Sequence, residues 1–243
     1  DTLPFPDRKA IDLDKYFQAW KGRHGQSAAS ISTMRGCPYT CKWCSRAVYG
    51  LSYRRRSAKL VVEELAWIQA NYDVDTFWFV DDVFTVSHKW LNEFHQEMKS
   101  RNVSIQFECI TRAERLNQEV LQKLKEIGCF RIWIGAESGS QRILDAMDKG
   151  TKIEQIEKST QLLQRKGVKV AFFIQYGYLD ETKEDIDKTI ELIKRLKPDD
   201  IGISVSYPLP GTKFYETVSN QMTGKKNWED SDDLAMMFTG TFN

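Results

Sequence analysis

Three cysteines, Cys37, Cys41 and Cys44, stand in the run Arg35-Gly36-Cys37-Pro38-Tyr39-Thr40-Cys41-Lys42-Trp43-Cys44. Three thiolates on one short loop, spaced C-x3-C-x2-C, can each take one iron of a cubane cluster. A [4Fe–4S] cube then keeps one iron without a protein ligand. An open metal position is the mark of a reacting centre, as opposed to a scaffold. Two other readings compete. Structural zinc needs four ligands, usually in paired knuckles. The other cysteines, Cys109 and Cys129, stand singly and far away in apolar surroundings, and His24, the one histidine nearby, adjoins Gly25 in a turn-like segment. Three cysteines cannot all pair as disulfides, and the spacing lacks the spread of a secreted framework. The spacing favours a cluster over zinc.

The elements that must position this loop come next. The chain has 243 residues, 41% of them apolar, enough for one large α/β core. A net charge of +1 gives no global pull toward nucleic acid or a membrane surface. The run Arg54-Arg55-Arg56 reads as a solvated turn or a salt-bridge site. No stretch approaches the roughly 20 apolar residues of a membrane span. Free thiols without a disulfide pattern point to a reducing cytoplasm.

Strand-like and helix-like segments alternate along the chain. Residues 28–34 run extended into the cysteine loop. Helical patterns cover 59–72, 89–101 (Ser87 as N-cap), 118–127 (Asn117 as N-cap), 141–147, 153–166 and 183–196. Strand patterns cover 76–80, 105–109, 130–134, 169–175 and 201–207, and a short helix is expected at 213–218. Strand–helix alternation with buried strands implies a parallel sheet with right-handed crossovers. Six such units fall short of the eight of a closed barrel. Ligands in parallel folds sit at the C-terminal ends of strands, and the cysteine loop directly follows the first strand. Residues 1–26 read as a Pro-punctuated lead-in or linker, 27–222 as the barrel core, and 223–243 as a C-terminal extension that begins a further segment. The chain reads as a fragment of a longer protein.

Polar groups follow the other strands. Asp81 and Asp82 come after the second, and Glu108 and Arg112 lie in and after the third. The fourth leads into Gly135-Ala136-Glu137-Ser138-Gly139-Ser140, and Lys149 closes the next helix. Ordinary structural roles stand beside functional ones. The aspartates suit a turn or cap, Glu108 and Arg112 suit an internal salt bridge, and Lys149 suits a helix C-terminus. Tyr176 and Tyr178 suit either core packing or a substrate cavity. Cys109 and Cys129 read as small buried hydrophobes.

The cysteine run with its aromatic Trp43 resembles the signature of the radical S-adenosylmethionine (radical SAM) superfamily, C-x3-C-x-Φ-C. G-x-E-S-G-S at 135–140 and P-x-P-G-T at 208–212 resemble that family's strand ends, over roughly residues 28–218. Two strand ends depart from it: Asp81-Asp82 stands where Gly-Gly-Glu is usual, and Leu179-Asp180 where Pro-Gly is usual. The resemblance implies a partial (β/α)6 barrel and a [4Fe–4S] cluster on Cys37, Cys41 and Cys44. In that family the open iron chelates the amino and carboxylate groups of SAM. Cleavage then gives methionine and a 5′-deoxyadenosyl radical, which abstracts hydrogen from a small-molecule substrate. It further implies cofactor contacts for Trp43, Asp81, Asp82, Glu108, Arg112, Glu137, Ser138 and Lys149. Lys149 would pair with the SAM carboxylate, and Glu137 would contact the SAM ribose or the substrate. An external electron donor of flavodoxin or ferredoxin type is implied as partner.

The lead-in Leu3-Pro4-Phe5-Pro6-Asp7, the strand before Cys37 and Asp81-Asp82-Val83-Phe84-Thr85 resemble the cobalamin-domain-containing branch, which holds methyltransferases and an oxidative cyclase. This chain has no D-x-H-x-x-G motif, so either the cobalamin domain lies outside it or the protein lacks one; in the first case cobalamin is expected on that domain. Methyl transfer is the first expectation, cyclisation the alternative. A methylthio-transferring or tRNA-modifying enzyme would want a basic face that a charge of +1 does not supply. An electron-transfer Fe–S protein would normally use four cysteines.

Overall fold

The protein is described by a computed structural model covering residues 1, 4–44, 50, 52–222 and 237–241. Most of the extension expected over 223–243 therefore lies outside the described residues. The chain forms two compact units. One is Asp1–Arg35, Arg54–Thr111 and Arg115–Ile132, and the other is Gly36–Tyr53, Arg112–Glu114 and Trp133–Asn243.

In the first unit the lead-in carries α1 (Leu13–His24), capped by Asp12 and ended by Gly25 at φ 80°. Then come β1 (Ala28–Ile31), β2 (Met34–Arg35), β3 (Arg54–Arg55), α2 (Ala58–Asn71), β4 (Thr76–Phe79), α3 (His88–Ser100), β5 (Phe107–Thr111) and α4 (Gln118–Glu126). Ser87 and Asn117 cap their helices as expected, accepting from the Trp90 and Val120 backbone N–H groups. β1 pairs parallel with β4 and β4 with β5. The helices bury an aromatic core against these strands. Phe79 lies 4.6 Å from Phe84 and 5.0 Å from Phe107, ring centre to ring centre. The three-arginine run is a salt-bridge site: Arg55 faces Asp81 at 3.6 Å and stacks 3.6 Å over Trp90, and Arg56 meets the buried Glu64 at 2.5 Å.

Two features differ from the sequence expectation. The third strand runs 107–111 instead of 105–109, because its ladder is set by pairing Phe77 with Phe107 and not by its apolar run. β2 and β3 form a small antiparallel hairpin whose partners are far apart in sequence.

β6 (Cys129–Glu137) starts in the first unit and ends in the second, running three residues beyond the expected 130–134. The second unit continues with α5 (Gln141–Ala146), α6 (Ile153–Arg165), β7 (Lys169–Tyr176), α7 (Lys183–Leu196), β8 (Asp200–Val205) and α8 (Lys213–Val218). β7 and β8 pair parallel from Ala171 opposite Asp200 to Tyr176 opposite Val205. The six-stranded sheet runs in chain order, β1-β4-β5-β6-β7-β8. Thr182 and Asp185 cap the start of α7 reciprocally, and Lys197, left-handed at φ 46°, ends it ahead of Pro198. Asp180 takes φ 57°, a conformation that aspartate tolerates better than most residues and that suits the position where the resembling enzymes carry glycine.

Candidate active site

In the second unit the cysteine loop is held from both sides. The Lys42 N–H donates to the Met147 carbonyl at 3.0 Å, and the Phe214 N–H donates to the Lys42 carbonyl at 3.0 Å. Trp43 packs against the buried cluster of Ile143, Met147, Tyr178 and Phe214. An apolar ring at this position is thus an anchor that fixes the approach of Cys41 and Cys44. Tyr178 belongs to that core: burial pushes its phenol up to about 12, and its ring stacks 4.8 Å from Phe214. At the loop's start Gly36 takes φ 78°, and a Cβ there would collide with the Ser52 carbonyl oxygen. All three cysteines are free thiols, Cys37 buried and Cys41 and Cys44 half-buried.

Arg112 closes over this loop. Its Nη1 lies 3.4 Å from Cys41 Sγ, and its guanidinium carbon sits 3.9 Å over the Tyr39 ring. Nη2 donates to the Lys149 carbonyl and, at 3.1 Å, to Thr151 Oγ1, while Nε is paired with Glu114. Glu114 also accepts from Thr151 Oγ1 at 2.9 Å. Burial lowers the Arg112 pKa, but the charges of Glu114 and Cys41 outweigh it, so the guanidinium stays charged.

Lys149 and Glu137 form a second charged pair, Nζ to Oε1 at 2.8 Å, with side chains 5% and 13% exposed. The same Nζ lies 5.4 Å from the centre of the Trp43 ring. Glu137 takes φ 60°, an unusual backbone state for glutamate at the end of a strand. Gly135 makes the room: a Cβ there would stand 2.7 Å from Lys149 Nζ and 2.8 Å from Glu137 Oε1. Two opposite charges held out of water and near the cysteine loop can bind a zwitterion by exchanging partners.

The remaining candidates are placed elsewhere or otherwise engaged. In the first unit the Asp81 carboxylate accepts from the Thr33 N–H at 2.7 Å, the Met34 N–H at 3.1 Å and the Thr33 hydroxyl, and faces Arg55. Four lone-pair sites meet four partners, which makes Asp81 the tie between β1 and the hairpin. Burial pushes its carboxyl up, against the pull of Arg55. Asp82 is exposed, and it is the carboxylate of the two left open to a ligand. The considered Glu108–Arg112 salt bridge is replaced by others. Glu108 pairs with Arg131 of β6 at 3.5 Å, and Arg112, just past the end of β5, with the nearby Glu114. Ser138 is fully buried, with its hydroxyl 3.2 Å from Thr189 Oγ1 and accepting from the Ser140 N–H at 3.1 Å. Its hydrogen bonds shape the turn after β6. Glu114 and Thr151 escaped the sequence reading, and Tyr39 and Gly135 entered it only as members of their motifs. The two charges at 112 and 114 were the available signal.

The donor set suits a cubane. Among the described residues no three His, Cys, Asp or Glu groups converge to hold a single metal ion. A cubane asks for one thiolate per iron, each at its own corner, with hydrogen bonds to sulfur as the protein's means of tuning it.

Comparison with known proteins agrees. The sequence model of the radical SAM superfamily matches residues 31–193. An uncharacterized methyltransferase of Pyrococcus horikoshii is 29% identical over 94% of this chain and 49% of its own length. The anaerobic magnesium-protoporphyrin IX monomethyl ester cyclase of Rubrivivax gelatinosus is 26% identical over 89% of this chain and 39% of its own. The chain thus spans less than half the length of each of these two curated relatives. Among solved structures, the radical SAM methyltransferase TsrM of Kitasatospora setae, with cobalamin and a [4Fe–4S] cluster bound, superposes with a TM-score of 0.75 at 20% identity, covering 87% of this chain and 42% of that one. The fold is the partial (β/α)6 barrel expected from the sequence. No described helix is long and apolar enough to cross a membrane. By the match of most of its length to the family, the chain belongs to the radical SAM superfamily.

Proposed function

We propose that this chain is the catalytic core of a radical SAM enzyme that acts on a small-molecule substrate, with Cys37, Cys41 and Cys44 holding a [4Fe–4S] cluster. When bound, the cluster and SAM supply an electron and, from it, a 5′-deoxyadenosyl radical able to take a hydrogen atom. The observation that carries the reading is the cysteine loop pinned beside two charged devices, Arg112 on Cys41 and the Lys149–Glu137 pair near Trp43. Arg112 holds Cys41 in place. Lys149 takes the carboxylate of the methionine moiety, exchanging its bond to Glu137. Glu137, released, accepts from a ribose hydroxyl, so the buried charges stay balanced throughout. Asp82 receives the amino group. Trp43 excludes water from the loop's apolar side.

Methyl transfer with cobalamin from a neighbouring domain is the favoured reaction. The methyltransferase relatives and the likeness to TsrM support it. Oxidative cyclisation is the second reading, supported by the cyclase relative. A low-potential flavodoxin- or ferredoxin-type donor is the proposed partner and the cytoplasm the proposed location. Anaerobic incubation of the reconstituted chain with SAM and dithionite tests the reading. It predicts 5′-deoxyadenosine in the wild type and none when Cys37, Cys41 and Cys44 are all alanine. Equal cleavage by both would refute it. Cobalamin binding by the whole protein separates the methyl-transfer and cyclase branch from other radical SAM chemistry.

A further inference from the structure

We propose that one face of β6, β7 and β8 is a substrate ledge that takes a flat conjugated ring with an N–H on its edge. The inference deepens the radical reading, which supplies the reason for a substrate to lie on this face; the binding it predicts does not depend on SAM cleavage.

Alternate residues of a strand share a face. On β7, Phe173 and Gln175 share one, and across the ladder they stand opposite Gly202 and Ser204 of β8. Trp133 of β6 stacks on Phe173, with ring centres 4.6 Å apart and planes at 22°. The two rings therefore stack face over face across neighbouring strands, and a third flat ring can extend the stack from its outer face. Gly202 makes room for the pair. A Cβ at 202 would stand 3.0 Å from Phe173 Cδ1 and 3.5 Å from Trp133 Cζ3, so any larger residue lifts the rings. Both rings are only half-buried, although they lie among strands whose opposite face is closed.

Polar groups of a particular kind follow further along the same face. Gln175 is 5% exposed, and its Oε1 accepts no hydrogen bond among the described residues. One rung beyond the end of β8, Ser206 donates its backbone N–H to the Tyr176 carbonyl at 2.8 Å, and its buried Oγ is likewise unsatisfied. Buried polar atoms without partners are rare and costly in folded proteins, and a ligand donor is one way to satisfy them. An aromatic stack with unfilled acceptors on the same strand face fits a ring whose face stacks and whose edge donates. Along β6, Trp133 to Glu137 spans about 13 Å of strand. A ring on the ledge therefore lies within a cofactor's length of the Lys149–Glu137 pair.

The test titrates indole and 1-methylindole into the anaerobically reconstituted chain by calorimetry. The two probes share a shape, and only indole has the edge N–H. Expected are saturable indole binding and about tenfold weaker 1-methylindole binding, the worth of one buried hydrogen bond. Gln175→Met should erase the difference between the probes. Trp133→Leu should weaken both about tenfold, and Gly202→Val, a residue suited to a strand, should abolish both by displacing the stacked rings. Equal affinities for the two probes, a difference that survives Gln175→Met, or indole binding indifferent to Trp133→Leu and Gly202→Val would each overturn the ledge. Ledge binding without SAM cleavage would sink the radical reading alone. SAM cleavage without probe binding would sink the ledge alone.

Discussion

Arg112 Nη1 stands 3.4 Å from Cys41 Sγ while the same guanidinium lies 3.9 Å over the Tyr39 ring, so one side chain from the end of β5 grips the cysteine loop by sulfur and by aromatic face. A positive donor on a cluster thiolate stabilises the more negative, reduced cluster. Arg112→Gln should therefore lower the cluster's midpoint potential by roughly 40–60 mV, the one-electron equivalent of about 1 kcal/mol. Arg112→Lys, which keeps the charge and loses the fork, should fall between. An EPR-monitored redox titration reads the shift, and an unchanged potential in Arg112→Gln would show that the contact has no electronic consequence.

Gly135→Ala places a methyl group between Lys149 Nζ and Glu137 Oε1, positions it would approach to 2.7 and 2.8 Å. Both neighbours are ends of flexible side chains, so the fold should survive with circular dichroism unchanged. SAM affinity should fall at least about tenfold, since the displaced pair no longer presents the carboxylate site. Lys149→Met should weaken SAM by more, about 2 kcal/mol, and also leave Glu137 buried without its partner. Equilibrium dialysis with SAM decides the matter; wild-type affinity in Gly135→Ala would remove Lys149 from the site.

The two adjacent aspartates should separate cleanly. Asp81→Asn breaks a buried carboxylate held by Thr33, Met34 and Arg55, and should cost about 3 kcal/mol of stability. Asp82→Asn, on an exposed side chain, should change stability by less than about 0.5 kcal/mol while weakening SAM binding. Denaturant melts and SAM titrations of both variants check this. A stable Asp81→Asn would contradict the tie assigned to it.

Asp185 should carry part of the acid sensitivity. Burial pushes its carboxyl up, but Arg142 and the bonds from Ser140 and Thr182 outweigh that and hold it well below the ordinary 3.8. A depressed folded pKa gives stability that is present above 3.8 and lost as pH falls through the lower, folded value. Arg142 is about half exposed, which screens the pair, so about 1 kcal/mol is expected. Asp185→Asn should be less stable than wild type at neutral pH by that amount, with the two converging toward pH 2. A constant gap across the range would refute the linkage.

Cys109 and Cys129 should prove dispensable to the cluster. Burial pushes the Cys109 thiol well up, helped by its hydrogen bond with Cys129, and a protonated buried thiol is a poor ligand. Cys109→Ala and Cys129→Ala should reconstitute to the wild-type iron content, and a loss of iron in either would assign a ligand outside the loop.

Much of this was legible in the sequence, and the pattern of what was not is physical. Strand–helix alternation, the Ser87 and Asn117 caps and the cysteine spacing are local signals, and local signals survive without the fold. The third strand slid by two residues because Phe77 and Phe107 set its register, a partnership that leaves no local trace. The β2–β3 hairpin joins Met34 to Arg55 and so has no turn signal of its own. Lys149 and Glu137 were both named from the sequence, but their bond was not, nor was the hold of Arg112 on Cys41, since each depends on which strand ends the fold brings together. Asp81 and Asp82 looked equivalent as neighbours; opposite facing along the chain gave one to the fold and left the other to solvent.

The most direct measurement is EPR of the anaerobically reconstituted, dithionite-reduced chain with and without SAM. The account predicts a [4Fe–4S]⁺ signal whose g values shift when SAM is added, because the iron without a protein ligand takes the SAM amino and carboxylate groups. A cluster signal indifferent to saturating SAM, or stoichiometric zinc in place of iron, would contradict it.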